Sequence, residues 1–156
     1  MADGRLAQLE ALYRSEYPRF VRVAFAVLRD EDRAVDAVQE AFATAVQKRT
    51  KFRGEGPLEA WVWRIVVNAA LKERARPQPS VLSEAEGTAL VDEPTNVAEA
   101  IAGLPERQRL ALFLRYYADL DYRSIATALD ITPGTVAATL NAAHAALRRL
   151  LQEVRP

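Results

Sequence analysis

The chain of 156 residues contains no cysteine, so disulfides and cysteine-ligated zinc are excluded. It has one histidine, His144, and no cluster of metal ligands or phosphate-cradling glycine loop can be traced. Carboxylates are plentiful but fall at helix-surface spacings, so an enzyme has little support, and neither a catalytic residue nor a cofactor is expected. Long apolar runs are also missing. The longest, from Ala60 to Leu71, is broken by Arg64 and Asn68 and falls short of the ~20 residues a bilayer requires. Met1-Ala2-Asp3-Gly4 lacks a basic segment leading into an apolar one, so no signal peptide is expected and the simplest location is the cytoplasm. Net charge is absent too: 21 basic residues balance 21 acidic ones. Global charge therefore gives no argument for nucleic acid.

What is present is a folded core in prospect, since 50% of the residues are hydrophobic. The distribution of charge says more than its sum. Between Lys48 and Arg76 lie eight basic residues against three acidic ones. Between Pro77 and Pro94 lie Glu84, Glu86, Asp92 and Glu93 and no basic residue. A local basic patch can bind phosphate on a neutral protein, and it can equally be a solvated face.

Helical periodicity dominates the chain. Leu6, Leu9, Leu12, Tyr13 and Tyr17 form one stripe, continued beyond Pro18 by Phe20, Ala24, Val27 and Leu28. Pro18 is expected to mark a helix start or a kink. A second helix, from about Glu31 to Arg49, has Val35, Val38, Phe42, Ala45 and Val46 on its apolar face. Asp36, Gln39 and Glu40 share a polar face, because residues three and four apart are neighbours on a helix. Phe52-Arg53-Gly54-Glu55-Gly56-Pro57 reads as a loop. The helix after it, to about Arg76, buries Leu58, Trp61, Val62, Ile65, Val66 and Ala69, and Arg64, Asn68 and Lys72 form a polar stripe. Trp63 and Val67 fall off that apolar face, so Trp63 is either a contact with a neighbouring helix or a surface anchor.

Three prolines and unbroken acidity make 77–94 a linker. Its 18 residues reach at most ~60 Å, longer than one DNA turn of ~35 Å. Four helices follow: about Thr95 to Ala102, Pro105 to Tyr117, Tyr122 to Leu129, and Pro133 to Gln152. Thr132 suits an N-cap and Pro133 a first helical position. Val136, Leu140, Ala143, Leu147 and Leu150 form the inward stripe of the last helix. The fold class is therefore all-α: two small helical domains, 1–76 and 95–156, joined by an acidic flexible linker, 77–94. The third and fourth of these helices, with the turn between them, have the layout of a helix-turn-helix, whose second helix usually reads the major groove. Yet no Lys or Arg occurs from Pro133 to Leu147.

Arg33-Ala34-Val35-Asp36-Ala37-Val38-Gln39-Glu40-Ala41-Phe42 resembles the polymerase-binding helix of the extracytoplasmic-function (group 4) sigma factors of the sigma-70 family. Phe52-Arg53-Gly54-Glu55-Gly56, Ala60-Trp61, Arg64-Ile65 and Asn68 continue the likeness. So do Leu104-Pro105-Glu106-Arg107-Gln108-Arg109, Leu114-Arg115-Tyr116-Tyr117 and the turn at Gly134-Thr135-Val136. The resemblance covers about residues 7–151. It implies a transcription initiation factor whose partners are RNA polymerase core, promoter DNA and an anti-sigma factor. Asp36, Gln39 and Glu40 would bind core. Lys51, Arg53, Arg64, Asn68 and Lys72 would melt and hold the −10 element. Arg123, Thr135, Thr139, Asn141 and Arg148 would meet the −35 element.

Two features depart from the family pattern. The outer face of the last helix, usually basic, carries Ala137, Ala138, Thr139, Asn141, Ala142, His144 and Ala146. Asp130 stands in a turn where glycine is usual and a left-handed backbone is required. An alternative thus stays open: a sigma-like interaction module that binds polymerase or an anti-sigma factor and reads the −35 element poorly or not at all.

Overall fold

In the computed structural model, which describes residues 2–77 and 96–154, all regular structure among the described residues is helical. The N-terminal group comprises α1 (Ala2–Leu28), α2 (Glu31–Gln47), a 3-10 turn at Arg49–Lys51, and α3 (Leu58–Ala75). The C-terminal group comprises α4 (Asn96–Ala102), α5 (Glu106–Tyr116), α6 (Tyr122–Leu129) and α7 (Pro133–Val154). The acidic stretch expected as a linker lies outside the described residues apart from Pro77, as does the expected helix start at Thr95.

Local chemistry places the helix starts. The Asp30 carboxylate accepts the Arg33 amide at 3.0 Å, and Asp121 accepts that of Ser124 at 2.8 Å. Each satisfies a donor with no partner inside the helix, a contact worth about 1 kcal/mol. Around these starts the N-terminal group closes on aromatic rings. Phe20 lies 4.3 Å from Trp63 and 5.2 Å from Phe42 between ring centroids, and Tyr13 meets Phe42 edge-on at 5.0 Å. Arg33 then ties the start of α2 to the end of α3. Its Nε donates to Glu73 at 2.9 Å, and its Nη2 donates to the Glu73 carbonyl. Both charged groups are largely buried. The Glu73 carboxyl is held below its ordinary range, chiefly by the hydrogen bond from Arg33, against the opposing effect of burial.

The C-terminal group packs α4, α5 and α6 on α7. Leu114, Ile125, Val136, Leu140 and Ala143 are fully buried there. The two groups also pack on each other, α6 against α3 and α5 against α1, so that one apolar core runs through both.

The structure corrects the sequence reading in three places. Of the two expectations for Pro18, a helix start or a kink, the start is overturned: α1 continues through it. The proline is exposed, so water can serve the Arg14 carbonyl that its missing N–H leaves bare, and the ring packing of Tyr13 and Phe20 holds the helix on both sides. Trp63 and Val67 are not off the buried face. They are 0% and 2% exposed, and Trp63 is a helix–helix contact rather than a surface anchor. The reason is that α3 is covered on two sides, by α1 and α2 on one and α6 on the other. Leu6, by contrast, is exposed.

Candidate nucleic-acid interface

The polar face of α2 is solvent-facing at Asp36, Gln39 and Glu40, while Ala34, Ala37, Val38 and Ala41 bury its other side. Neighbouring helices steady two of the three. Gln39 donates to the Tyr13 hydroxyl at 2.8 Å, and Glu40 lies 3.6 Å from the Lys72 ammonium. The result is an exposed patch of hydrogen-bonding groups.

The basic residues divide between a loop and a helix. Lys51 and Arg53 are exposed on either side of Phe52. The Phe52 ring has the Arg5 guanidinium 4.7 Å over it and the tilted Trp61 ring 5.4 Å away. Gly54 and Gly56 adopt φ of +79° and +87°, a backbone that side-chain-bearing residues rarely take. This turn redirects the chain from the basic loop into α3. On α3, Arg64, Asn68 and Lys72 are all exposed at four-residue intervals. They are not uncommitted. Lys72 faces Glu40, and Arg64 Nη2 lies 3.3 Å from Asp130 Oδ2 in the C-terminal group. Arg64 and Asn68 line a cleft of about 220 Å³ with Glu106, Arg107 and Asp130. Sequence reasoning placed the basic stripe but not its acidic partners, since no periodicity reports a contact across 66 positions.

The helix-turn-helix is built on Asp130. Its φ and ψ of 60° and 48° are left-handed, as the turn demands. The Asp130 amide donates to the Thr127 carbonyl at 3.2 Å and the Ile131 amide to that of Ala126 at 3.0 Å. That pair of bonds closes α6 in a Schellman motif. Thr132 then caps α7, accepting the Thr135 amide at 3.1 Å, and its hydroxyl meets that of Thr135 at 2.9 Å. Thr135 is thus already engaged. Of the residues expected to meet DNA here, Arg123, Asn141 and Arg148 are exposed, and Thr135 and Thr139 are half-buried. The outward positions between the cap and Arg148 are Pro133, Gly134, Ala138, Asn141 and Ala142. His144 is engaged as well, with its Nε2 3.0 Å from the Tyr116 hydroxyl. Among the described residues no group of three His, Asp or Glu side chains could hold a metal ion, and no helix is long and apolar enough to cross a membrane.

Two family descriptions match the chain in order: Sigma-70 region 2 over residues 12–78, and Sigma-70, region 4, over residues 95–147. The ECF RNA polymerase sigma factor SigM of Mycobacterium tuberculosis is 32% identical, with 97% of this chain aligned to 80% of that one. The ECF RNA polymerase sigma-E factor of Haemophilus influenzae is 34% identical over 75% of this chain and 74% of its own. Two solved structures share the fold. CnrH, in complex with the cytosolic domain of CnrY, superposes with a TM-score of 0.76 at 21% identity, covering 99% of this chain and 94% of its own. The sigma factor RpoE of Bartonella quintana, in complex with the anti-sigma factor NepR, gives 0.70 at 20% identity, covering 95% and 99%. With both regions present in order and relatives aligned along most of its length, the chain belongs to the extracytoplasmic-function RNA polymerase sigma factors of the sigma-70 family and is a sigma factor for transcription initiation.

Proposed function

We propose that this sigma factor directs core polymerase by a division of labour in which region 4 contributes little affinity of its own. In this reading residues 1–76 bind core and the −10 element, 77–94 connect, and 95–156 approach the −35 element. Asp36, Gln39 and Glu40 dock on core. Lys51, Arg53, Arg64, Asn68 and Lys72 hold the melted strand, its phosphates on the cations and its bases near the exposed polar groups. Arg123, Thr135, Thr139, Asn141 and Arg148 make the −35 contacts. The protein works in the cytoplasm by binding alone, with no reaction and no cofactor of its own, and it answers to an anti-sigma factor.

The observation that carries this reading is the outward face of α7. Ala138, Asn141 and Ala142 present no charge to a phosphate backbone. A reading helix so bare depends on tethering through the first domain, which raises its effective concentration at the −35 site. The same face supports a second reading, in which small exposed side chains allow close packing against a protein and region 4 is an interaction module. Transcription in vitro with core polymerase and a promoter set tests the two. The first expects promoter-specific transcripts that are lost on changing Asp36, Gln39 and Glu40 together to Ala, in a variant that still folds. Wild-type transcription from that variant would refute the core-binding assignment. Transcription that is indifferent to the −35 sequence would favour the second reading.

A further inference from the structure

We propose that Arg5 is a positioning residue for the −10 loop: from the first turns of α1 it clamps Phe52, and through Phe52 it sets how Lys51 and Arg53 meet DNA. This rests on the reading of Lys51 and Arg53 as −10 contacts. It deepens that reading with a residue that lies ahead of the region 2 match at 12–78. The loop needs an outside hold. Residues 53–57 are all exposed, and a Cβ added at Gly54 or Gly56 would meet nothing within 4 Å. With no packing at those two positions, the path of the loop is set at its ends. The far end is fixed by α3, where the Ala60 and Trp61 amides donate to the Pro57 carbonyl at 3.2 and 3.4 Å. The near end is Phe52, whose amide donates to the Arg49 carbonyl at 3.4 Å as the chain leaves the 3-10 turn.

Arg5 reinforces that long bond. Its Nη1 donates to the Phe52 carbonyl at 3.5 Å, while its guanidinium carbon lies 4.7 Å over the Phe52 ring. One planar group thus holds the backbone and the side chain of the same residue, which the fork of a guanidinium allows and a point charge does not. The Trp61 ring, 5.4 Å from that of Phe52, couples the near end of the loop to the first turn of α3. The core sets the aim of Arg5. Leu9, one turn later on the same face of α1, is 1% exposed, and α1 packs along the 3-10 turn. Burial of Leu9 fixes the rotation of α1 and with it the side to which Arg5 projects. Lys51 and Arg53 flank Phe52 in the chain and are exposed, so a fixed Phe52 fixes where both cations start. A cation over a half-exposed ring biases the ordered loop by about two- to five-fold.

The test uses the full-length chain, which has no native cysteine, with a nitroxide on Glu55→Cys at the exposed loop tip. Arg5→Ala is expected to raise the mobile share of the spin-label spectrum by about two- to five-fold, with circular dichroism unchanged. In a Phe52→Leu background the same substitution should add nothing further, because Arg5 acts through that ring. The second arm uses unlabelled holoenzyme on a promoter from which the wild type transcribes, and on copies of it with single −10 bases replaced. Permanganate reactivity of the melted bases reads opening. Arg5→Ala should narrow the discrimination between these promoters by a similar factor, whereas simple destabilisation would lower all of them alike. A spectrum unchanged in Arg5→Ala would overturn the clamp. Equal losses of opening from Arg5→Ala with and without Phe52→Leu would mean that Arg5 touches DNA itself, and would overturn the positioning role. Lys51→Ala with Arg53→Ala separates the remaining outcomes. A loosened loop with unchanged discrimination overturns the positioning role if that double variant impairs opening. If the double variant opens the promoter as the wild type does, the −10 reading of the loop fails and the role falls with it.

Discussion

Replacing Ala138 and Ala142 with Arg should turn a weak reading helix into a strong one. The two positions are exposed and four residues apart, so they lie on one face a single turn from each other. Arg is nearly as good a helix former as Ala, so the fold should be unaffected. Each new phosphate contact adds ~0.9 to the slope of log affinity against log salt, so the pair adds up to ~1.8. Between about 200 mM and about 50 mM salt that difference in slope is worth roughly 12-fold in affinity. Fluorescence anisotropy of a labelled duplex, titrated with full-length protein at several salt concentrations, measures it directly. The wild type should give a shallow line and the double variant a visibly steeper one. A slope unchanged by both arginines would show that this face does not turn toward DNA, and the protein-packing reading of the helix would take its place.

Changing Arg64 and Lys72 together to Ala should reduce open-complex formation in the holoenzyme, read by permanganate reactivity of the melted bases. A bubble unchanged across salt would place the melting surface elsewhere. Trp63→Ala removes the largest fully buried side chain and should cost about 3–5 kcal/mol in urea unfolding; a loss below about 1 kcal/mol would mean the site collapses or is not packed as described. Glu73 and Asp121 are both held below their ordinary values of 4.5 and 3.8, Glu73 mainly by Arg33 and Asp121 mainly by the Ser124 amide. A depressed carboxyl stabilises fully above its unfolded value, and that stabilisation is lost as pH falls through the folded one. Glu73→Gln should therefore be less stable than wild type above the ordinary carboxylate range, with the two unfolding curves converging as the pH falls below it. Parallel curves across that range would remove Glu73 from the acid response.

How much of this was legible in the sequence depends on range. The first residue of α7 follows from Thr132-Pro133, and the structure has it there, because caps and turns are settled by neighbours in the chain. The exposure of Asp36, Gln39 and Glu40 was legible for the same reason: helical spacing separates them from the buried Ala37–Val38–Ala41 side. Trp63 and Val67 were misplaced because periodicity assumes one buried face per helix, and α3 has two. α6, which arrives from beyond the linker, lies beside Val67, whereas Trp63 packs on Phe20 of α1. The same range hides the pairing of Arg64 with Asp130 and of Arg74 with Glu106. Pro18 shows the reverse failure, a strong local signal overridden by ring packing on either side of it.

The double burial of α3 has a consequence for synthesis on the ribosome. Val67 emerges well before its cover: Leu129 follows 62 residues later, which at ~5–20 residues per second is a delay of roughly 3–12 s. Through that interval the first three helices can assemble on their aromatic rings, but Val67 and Leu71 have only water or a chaperone against them. A fragment ending at residue 77 would keep that apolar strip for its whole lifetime, whereas the intact chain carries it for seconds.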